Sequence, residues 1–387
     1  MRIVNLVVDA KEVAFENVDF LTMPSPVVHP AVQALFDAFA QRTDHEYIVA
    51  YGKCTAAQVE IRKEGSVTYM AIPAAGISLP GIRGYLARFR GLRNFLQHDL
   101  KPDLVHAQGT ERESGMVAAH SGFPSLITLH GNFRELRAVY RPKPWNYYWI
   151  NAHLETHVLR RIGGIICISR YVEQITRSFR KPQFLIPNPV RPEFLSAERA
   201  MPGGVPRHIC CMGALDERKR PDFILKACIP LWKRGRDFVL HIYGRPGGAY
   251  ADWLMNEAEP WVKQGKVIFE GFTPDPLHAI LNSDVMVSAS VEESFGMNVL
   301  EAMAAGRSVV APRVGGITDI VEDHVSGLLF DGSRLSECTE CIDRLLTDDN
   351  HRQEISRNGR RRAQRLFSPE IVAEKTVQCY EQFAASF

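Results

Sequence analysis

The chain has 387 residues, 45% hydrophobic and 23% charged, with a formal net charge of +2 at pH 7. That describes a globular protein whose length favours two domains, and it excludes a disordered or fibrous chain. No window approaches the roughly eighteen uninterrupted apolar residues of a membrane span, and the charge excess is too small and dispersed for a dedicated nucleic-acid binder.

The chain opens on "MRIVNLVVDA", which reads as a first strand; it is too short, and too acidic at Asp9, for a signal peptide, so the cytoplasm is the expected compartment. Short β-branched runs then alternate with longer amphipathic ones. Strands are expected at Ile3–Val8, Glu46–Tyr51, Val67–Ala71, Leu104–His106, Ser125–Leu129, Gly164–Ile168 and Gln183–Ile186, with helical patterns such as "PAVQALFDAFAQR" between them. The alternation breaks at "SAERAMPGGVPR", a small, polar, Pro/Gly-rich linker. It resumes with strands at His208–Gly213, Val239–Tyr243, Val267–Glu270, Val285–Ser288, Ser308–Ala311 and Gly327–Leu329. Alternation of this kind predicts parallel sheets covered by helices, hence two doubly wound α/β domains and one hinge.

Residues 1–197 carry 23 Lys and Arg against 17 Asp and Glu, which leaves 23 against 27 in the remainder. A basic first half is suited to an acidic partner. The eight cysteines are scattered, mostly in apolar runs. The single CxxC, Cys338 to Cys341, has no partner pair, and Leu335, Cys338, Ile342 and Leu345 share a helical face, so it reads as core rather than as a metal or redox site.

Ligands of open α/β sheets bind beyond the carboxyl ends of the strands. The loops to examine are therefore "LVHAQGTERESG", "LITLHGN", "CMGALDERKRPD" and "VSASVEESFG". The last runs into "MNVLEAMAAG", where Val299, Leu300, Met303 and Ala304 form an apolar stripe and Gly306 suits a helix end. Glu293 lies in the loop, and Glu301 lies one turn into the helix. Eight helical residues would span roughly 12 Å. Two carboxylates that far apart cannot grip one atom, but they can hold two ends of an elongated polar ligand, with the bare amides after Gly296 facing an anion between them.

The run "SDVMVSASVEESFGMNVLEAMAAGRSVVAPRVGGITDIVEDHVSGLLF", preceded by "GALDERKRPDFILKA" and "VIFEGF", resembles the retaining family 4 glycosyltransferases (glycosyl transferases group 1), which have the GT-B fold. "DLVHAQG", "SLITLHG", "CISRYV" and "IPNPV" extend the resemblance over the first half. It implies an α/β protein of two Rossmann-like domains facing each other across a cleft. The expected boundaries are an acceptor-side domain at 1–197, a linker at 198–206, a nucleotide-sugar domain at 207–366, and a C-terminal helix at 367–387 that crosses back.

The resemblance implies transfer of a glycosyl group from a nucleotide-diphosphate sugar to an acceptor hydroxyl, with retained configuration. On it, Glu301 holds the ribose, Glu293 the transferring sugar, and the amides near Gly296, Met297 and Asn298 the diphosphate. Lys219 neutralises the leaving group beside Gly213. The arginine that many relatives carry after that glycine is Ala214 here, with Arg218 or Arg220 as replacements, though adjacent residues are expected to point differently and Lys219 to carry the role. His130 is placed by the donor sugar. His106, Glu111 and Arg112 fall on the acceptor side.

"TMPSPVVHP", Thr22 to Pro30, lacks the glycine pair usual after the first strand, so that loop is assigned to the acceptor. No D-x-D occurs, and neither metal nor cofactor is expected, the nucleotide sugar being a co-substrate. Two carboxylates about 5 Å apart would be needed for the paired mechanism of retaining glycosidases, so a front-face displacement is assigned instead. The alternatives are a nucleotide-sugar epimerase of similar fold, for which no dedicated base pair is identifiable, and a non-catalytic sugar-nucleotide-binding protein. The acceptor is expected to be a glycan or a lipid-linked one. Arg83, Arg88, Arg90 and Arg93 on the pattern "GIRGYLARFRGLRNFLQH" suggest contact with an anionic membrane.

Overall fold

The computed structural model describes residues 1–8, 29–53, 56, 58–73, 82–110, 112–197, 204–205 and 207–387. They form two compact units, Met1–Pro189 with Pro369–Phe387, and Val190–Ser368. The loop at 22–30 lies outside the described residues except for His29 and Pro30, as does the linker 198–206 except for Gly204 and Val205.

The first unit is built on eight strands: β1 Arg2–Leu6, β2 Glu46–Lys53, β3 Glu60–Glu64, β4 Val67–Pro73, β5 Leu104–Gln108, β6 Ser125–Leu129, β7 Gly164–Cys167 and β8 Gln183–Leu185. Their order is β3-β4-β2-β1-β5-β6-β7-β8. All neighbours are parallel except β3, which pairs antiparallel with β4. Every residue of β5, β6 and β7 is buried, as expected for parallel strands covered on both faces. The sequence pattern did not mark β3: "EIRKE" is exposed along nearly its whole length, and its charges protect a sheet edge from further pairing.

The second unit has six strands: β9 Arg207–Met212, β10 Phe238–Tyr243, β11 Val267–Gly271, β12 Val285–Val287, β13 Ser308–Pro312 and β14 Leu328–Phe330. They run in the order β11-β10-β9-β12-β13-β14, all parallel. The direction of winding reverses between β9 and β12. Cys338 is fully buried in this unit's core on the helix Leu335–Thr347, and Cys341 packs partly buried against the same core. The seven described cysteines are all free thiols.

The boundaries differ from the sequence expectation. The first crossing falls between Pro189 and Val190, before the Pro/Gly-rich segment. Residues 190–197 are fastened to the second unit: Val190 N donates to Phe367 O at 2.8 Å, and Arg360 donates to the carbonyls of Ala197 and Leu195 at 2.6 and 2.7 Å. The helix Pro369–Ala384 belongs to the first unit. Its Val372, Ala373, Val377, Cys379, Tyr380 and Phe383 join the core around Phe39, Tyr47 and Leu126. The Tyr380 hydroxyl lies 2.6 Å from His106 Nδ1 and 3.3 Å from Asn5 Oδ1.

A second correction concerns the arginine-rich helix, Ile82–Phe95. Arg88 does not face water: it is buried and donates from Nε to Glu113 Oε1 at 2.8 Å. Arg93 Nε donates to the His120 carbonyl at 2.9 Å, and Arg90 is exposed. Among its described side chains, which leave out Arg83, this helix does not present a continuous basic face. Among the described residues, no helix is long and apolar enough to cross a membrane.

The Tyr380 contacts yield a prediction. Tyr380→Phe removes the hydroxyl against buried His106 and should destabilise the first unit by about 1–3 kcal/mol, read by urea unfolding. Unchanged stability would show that the C-terminal helix is held by apolar packing alone.

Candidate active site

Two loops meet where the second sheet reverses. After β9, Asp216 Oδ1 accepts from the backbone N of Arg218 and of Lys219, at 3.1 and 2.9 Å. This turn folds "DERK" back on itself, the usual work of an aspartate in a tight loop. The Lys219 side chain returns along the backbone at Gly213, where a Cβ would meet its Cγ at 3.2 Å. After β12, Val291 N donates to Arg218 O at 2.9 Å and joins the two loops.

Glu293 is the junction. Its carboxylate accepts from Lys219 Nζ, and from Ser290 Oγ at 3.0 Å. Arg218 Nη1 lies 3.9 Å away and donates to the Glu292 carbonyl at 3.3 Å. Contrary to the sequence expectation, Arg218 and Lys219 converge on one carboxylate. Arg220 does point elsewhere, donating to Gly332 O at 3.0 Å with its guanidinium 4.2 Å from the Phe223 ring. Backbone packing fixes the glutamate from behind. Gly316 N donates to Glu293 O at 2.9 Å, and a Cβ on Gly315 would strike that same carbonyl.

The helix Met297–Ala304 begins after Gly296, whose φ of 111° favours glycine. The first amides of a helix lack a backbone acceptor in the preceding turn and carry its positive end; here Val299 N donates to Asn298 Oδ1 at 2.9 Å. Asn298 Nδ2 donates to Met212 O at 3.0 Å and ties the helix start to the end of β9. One turn on, Glu301 Oε1 accepts from Arg191 Nε at 3.1 Å. Arg191 lies 4.4 Å over Phe194, on the segment just after the first crossing.

The three carboxylates differ in character. Burial pushes Glu293 upward, but Lys219 and Arg218 outweigh it and hold the group below its ordinary value. Burial raises Glu301, with Arg191 opposing. Burial and the neighbouring Glu293 charge both raise Glu292.

In the first unit, His130 is half-buried after β6. Its Nε2 lies 3.0 Å from Gln108 Oε1 and its Nδ1 3.0 Å from Asn188 Oδ1. Burial, with the nearby charges of His29 and His106, lowers it to about 3, so the ring is neutral near pH 7. A neutral ring donates from one nitrogen only, so one of these two amides presents its NH2 group to it. His106 is fully buried, with Thr128 Oγ1 2.7 Å from Nε2 and Tyr380 on the other nitrogen. It frames the β5 loop from inside and cannot touch an acceptor, contrary to its assignment. The cavity that both histidines line measures about 20 Å³, room for one water molecule. Arg112 caps the helix Glu113–His120 with φ 54°, and Glu111 lies outside the described residues.

The structure thus brings Lys219, Arg218, Glu293, Gly296, Met297, Asn298 and Glu301 to one end of the second sheet. Sequence reasoning missed Arg191, Ser290, Asp216 and Gln108. Asp216, three residues before Lys219, carried a readable turn signal; Arg191 carried none. A larger cavity of about 640 Å³ opens over β9, β10 and β11, lined by His208, His241, Glu270, Phe272 and His278, and shares none of these groups. Among the described residues, no cluster of three or more His, Cys, Asp or Glu is arranged to hold a metal ion.

Comparison with known proteins gives two family matches: Glycosyl transferases group 1 over residues 203–362, and Glycosyltransferase Family 4 over residues 31–194. A D-inositol 3-phosphate glycosyltransferase of Saccharomonospora viridis is 31% identical over 184 residues, 45% of this chain and 42% of the relative. The alignments with the first curated relatives span under half of those proteins' lengths. Sucrose-phosphate synthase from Thermosynechococcus elongatus matches the fold with a TM-score of 0.77 at 19% identity, covering 100% of this chain and 99% of that one. The Anabaena protein HepE, solved with UDP and glucose, matches with a TM-score of 0.70 at 17% identity, covering 98% and 99%.

The opposite directions of Glu293 and Glu301 are testable through pH. A lowered carboxyl contributes stability that is complete above its unfolded value, near 4.5, and is lost as pH falls below it. A raised one loses its contribution as pH rises above 4.5. Measured by denaturant unfolding between about pH 4 and 8, the cost of Glu293→Gln should shrink toward the acid end, and that of Glu301→Gln toward the alkaline end. Parallel trends would show that the two glutamates occupy equivalent environments.

Proposed function

The chain belongs to the family 4 glycosyltransferases, of GT-B fold, and from that premise we propose that it is a retaining, metal-independent transferase taking a sugar from a nucleotide-diphosphate donor. One observation carries the reading: the Lys219 and Arg218 cations, the helix start at Gly296–Asn298 and the carboxylates of Glu293 and Glu301 converge at the switch point of the second sheet. A diphosphate suits the cations and the helix amides. Ribose hydroxyls would donate to Glu301, and hydroxyls of the transferring sugar to Glu293.

In a front-face displacement the acceptor oxygen bonds to the anomeric carbon as the bond to the diphosphate breaks on the same face. The acceptor proton passes to the leaving phosphate oxygen, so no protein nucleophile is required. Lys219 and Arg218 stabilise the charge that develops there, which is the role expected of cations fixed in place before the reaction. His130, held neutral, acts by hydrogen bonding and not by charge. The acceptor is a glycan or lipid-linked hydroxyl of surface polysaccharide or glycoconjugate synthesis, a reading supported by the basic balance of residues 1–197. UDP sugars are the first donors to try, since HepE was solved with UDP and glucose.

Thermal stabilisation against UDP, GDP, ADP and CMP sugars tests the donor, because a ligand at 100 times its Kd adds about 2.7 kcal/mol. Glu301→Ala should weaken binding of the free nucleotide, whereas Glu293→Ala should spare it and depress transfer, each lost bond costing about 1.5–3 kcal/mol. Equal nucleotide affinity in wild type and Glu301→Ala would overturn the ribose assignment. Binding without turnover on any acceptor would favour a non-catalytic sugar-nucleotide protein. Transfer should persist in excess chelator and fall sharply in Lys219→Ala; rescue of a chelated enzyme by Mn²⁺ or Mg²⁺ would refute metal independence.

A further inference from the structure

The first unit carries an aromatic and basic surface that the donor chemistry does not use. The helices Phe133–Tyr140 and Tyr147–Arg161 are joined by "RPKPWN". Residues 136–154 include five aromatic residues, Tyr140, Trp145, Tyr147, Tyr148 and Trp149, and the basic Arg137, Arg141 and Lys143, with no Asp or Glu. The aromatics are not sunk in the core: Trp145 is 77% exposed, Tyr147 46% and Ile150 39%. Trp145 and Trp149 lie 5.0 Å apart, and Arg137 sits 5.9 Å over Trp149. Exposing this much aromatic surface at one turn is costly unless something covers it.

The backbone points the same way. Trp145 has φ 68°, a left-handed conformation that a bulky residue rarely adopts. Asn146, which follows it, caps the second helix by accepting from Tyr148 N at 3.0 Å. The loop therefore holds its indole outward at a conformational cost that folding alone does not require.

We propose that this helical hairpin docks on an anionic lipid surface, with Trp145, Tyr147 and Ile150 at headgroup depth and Arg137, Arg141 and Lys143 against the lipid phosphates. The inference deepens the lipid-linked reading of the acceptor and rests on it. Indole and phenol rings with one apolar and one polar side settle at the membrane interface. Basic residues beside them draw the protein to anionic lipid. Charge decides the occupant: a neutral glycan would stack on the rings but has no use for three cations with no acid between positions 136 and 154, where the flanking Glu155 is buried and only Glu135 is partly open to solvent. The surface lies on a different element from Arg88, whose burial against Glu113 removes it from such a role.

The test uses the full chain, without substrate, sedimented with vesicles of phosphatidylcholine alone and with vesicles in which about a third of the lipid is phosphatidylglycerol. Binding is expected only to the anionic vesicles, weakening with salt, and tryptophan emission should be quenched by brominated lipid. Arg141→Glu with Lys143→Glu should weaken binding by on the order of tenfold or more. Trp145→Gly separates docking from folding. Glycine suits φ 68°, so this variant should unfold no more readily than wild type while losing at least about tenfold in vesicle binding.

Absence of binding to both vesicles, or binding unchanged in Trp145→Gly, overturns the proposal. So does a Trp145-dependent fluorescence response to soluble oligosaccharides without vesicle binding, which would make the surface a glycan platform. Nucleotide-sugar stabilisation, measured on the same preparations, reports the donor reading separately, so failure of one is distinguishable from failure of the other.

Discussion

A buried carboxylate must be compensated, and the loops of the second unit are arranged around that need. Glu293 is only 8% exposed. Left without partners, such a charge would destabilise the fold by about 3–5 kcal/mol. Lys219, Arg218 and Ser290 supply the compensation. Each is placed by something else: Lys219 by the Asp216 turn, Arg218 by its carbonyl's bond to Val291, and Glu293 itself by the glycine pair at 315 and 316. The ion pair and the close backbone approaches therefore stand or fall together.

The same arrangement recurs a turn along the helix, where Arg191 covers Glu301. Both carboxylates of the proposed donor site are thus engaged by cations. In the proposed reaction a diphosphate competes with Glu293 for Lys219 and frees the carboxylate for sugar hydroxyls. The exchange trades one charge-assisted bond for another, so entry of the donor need not leave a buried charge unpaired. It also explains why Glu301 remains raised while Glu293 is lowered. Glu301 has a single cation against its burial, whereas Glu293 has two cations and a hydroxyl.

What could be read from sequence follows from how local each cause is. Strands buried on both faces, such as "SLITL" and "GIIC", announce themselves by composition, and the apolar stripe of Val299, Leu300, Met303 and Ala304 after Gly296 announces a loop leading into a helix. "EIRKE" gave no such sign, because an edge strand is stabilised by backbone pairing and selected for charge. Arg191 was invisible for another reason: its partner lies 110 residues away, and no periodicity links them. Arg88 was misassigned because helical spacing distinguishes faces but does not show what a neighbouring helix brings, here the carboxylate of Glu113. His106 was misplaced because β5 continues two residues past the expected strand end, to Gln108, which turns a residue at the loop into a core group.

The boundary at Pro189 has a consequence for how the chain is assembled. Val190 and Phe367 are hydrogen-bonded, so the two ends of the second unit meet, and that unit is an insertion within the first. The first unit's core is completed by Val372, Ala373, Val377, Cys379, Tyr380 and Phe383, all on the far side of the inserted unit in sequence. Apolar packing alone would tolerate a helix that slid or turned. The Tyr380 hydroxyl, set between His106 and Asn5, fixes one register for it. A buried polar contact that adds little net stability can still select a single arrangement. Here it couples the final helix to β1 and β5, and so to the β5 loop and to Gln108, the residue that holds His130.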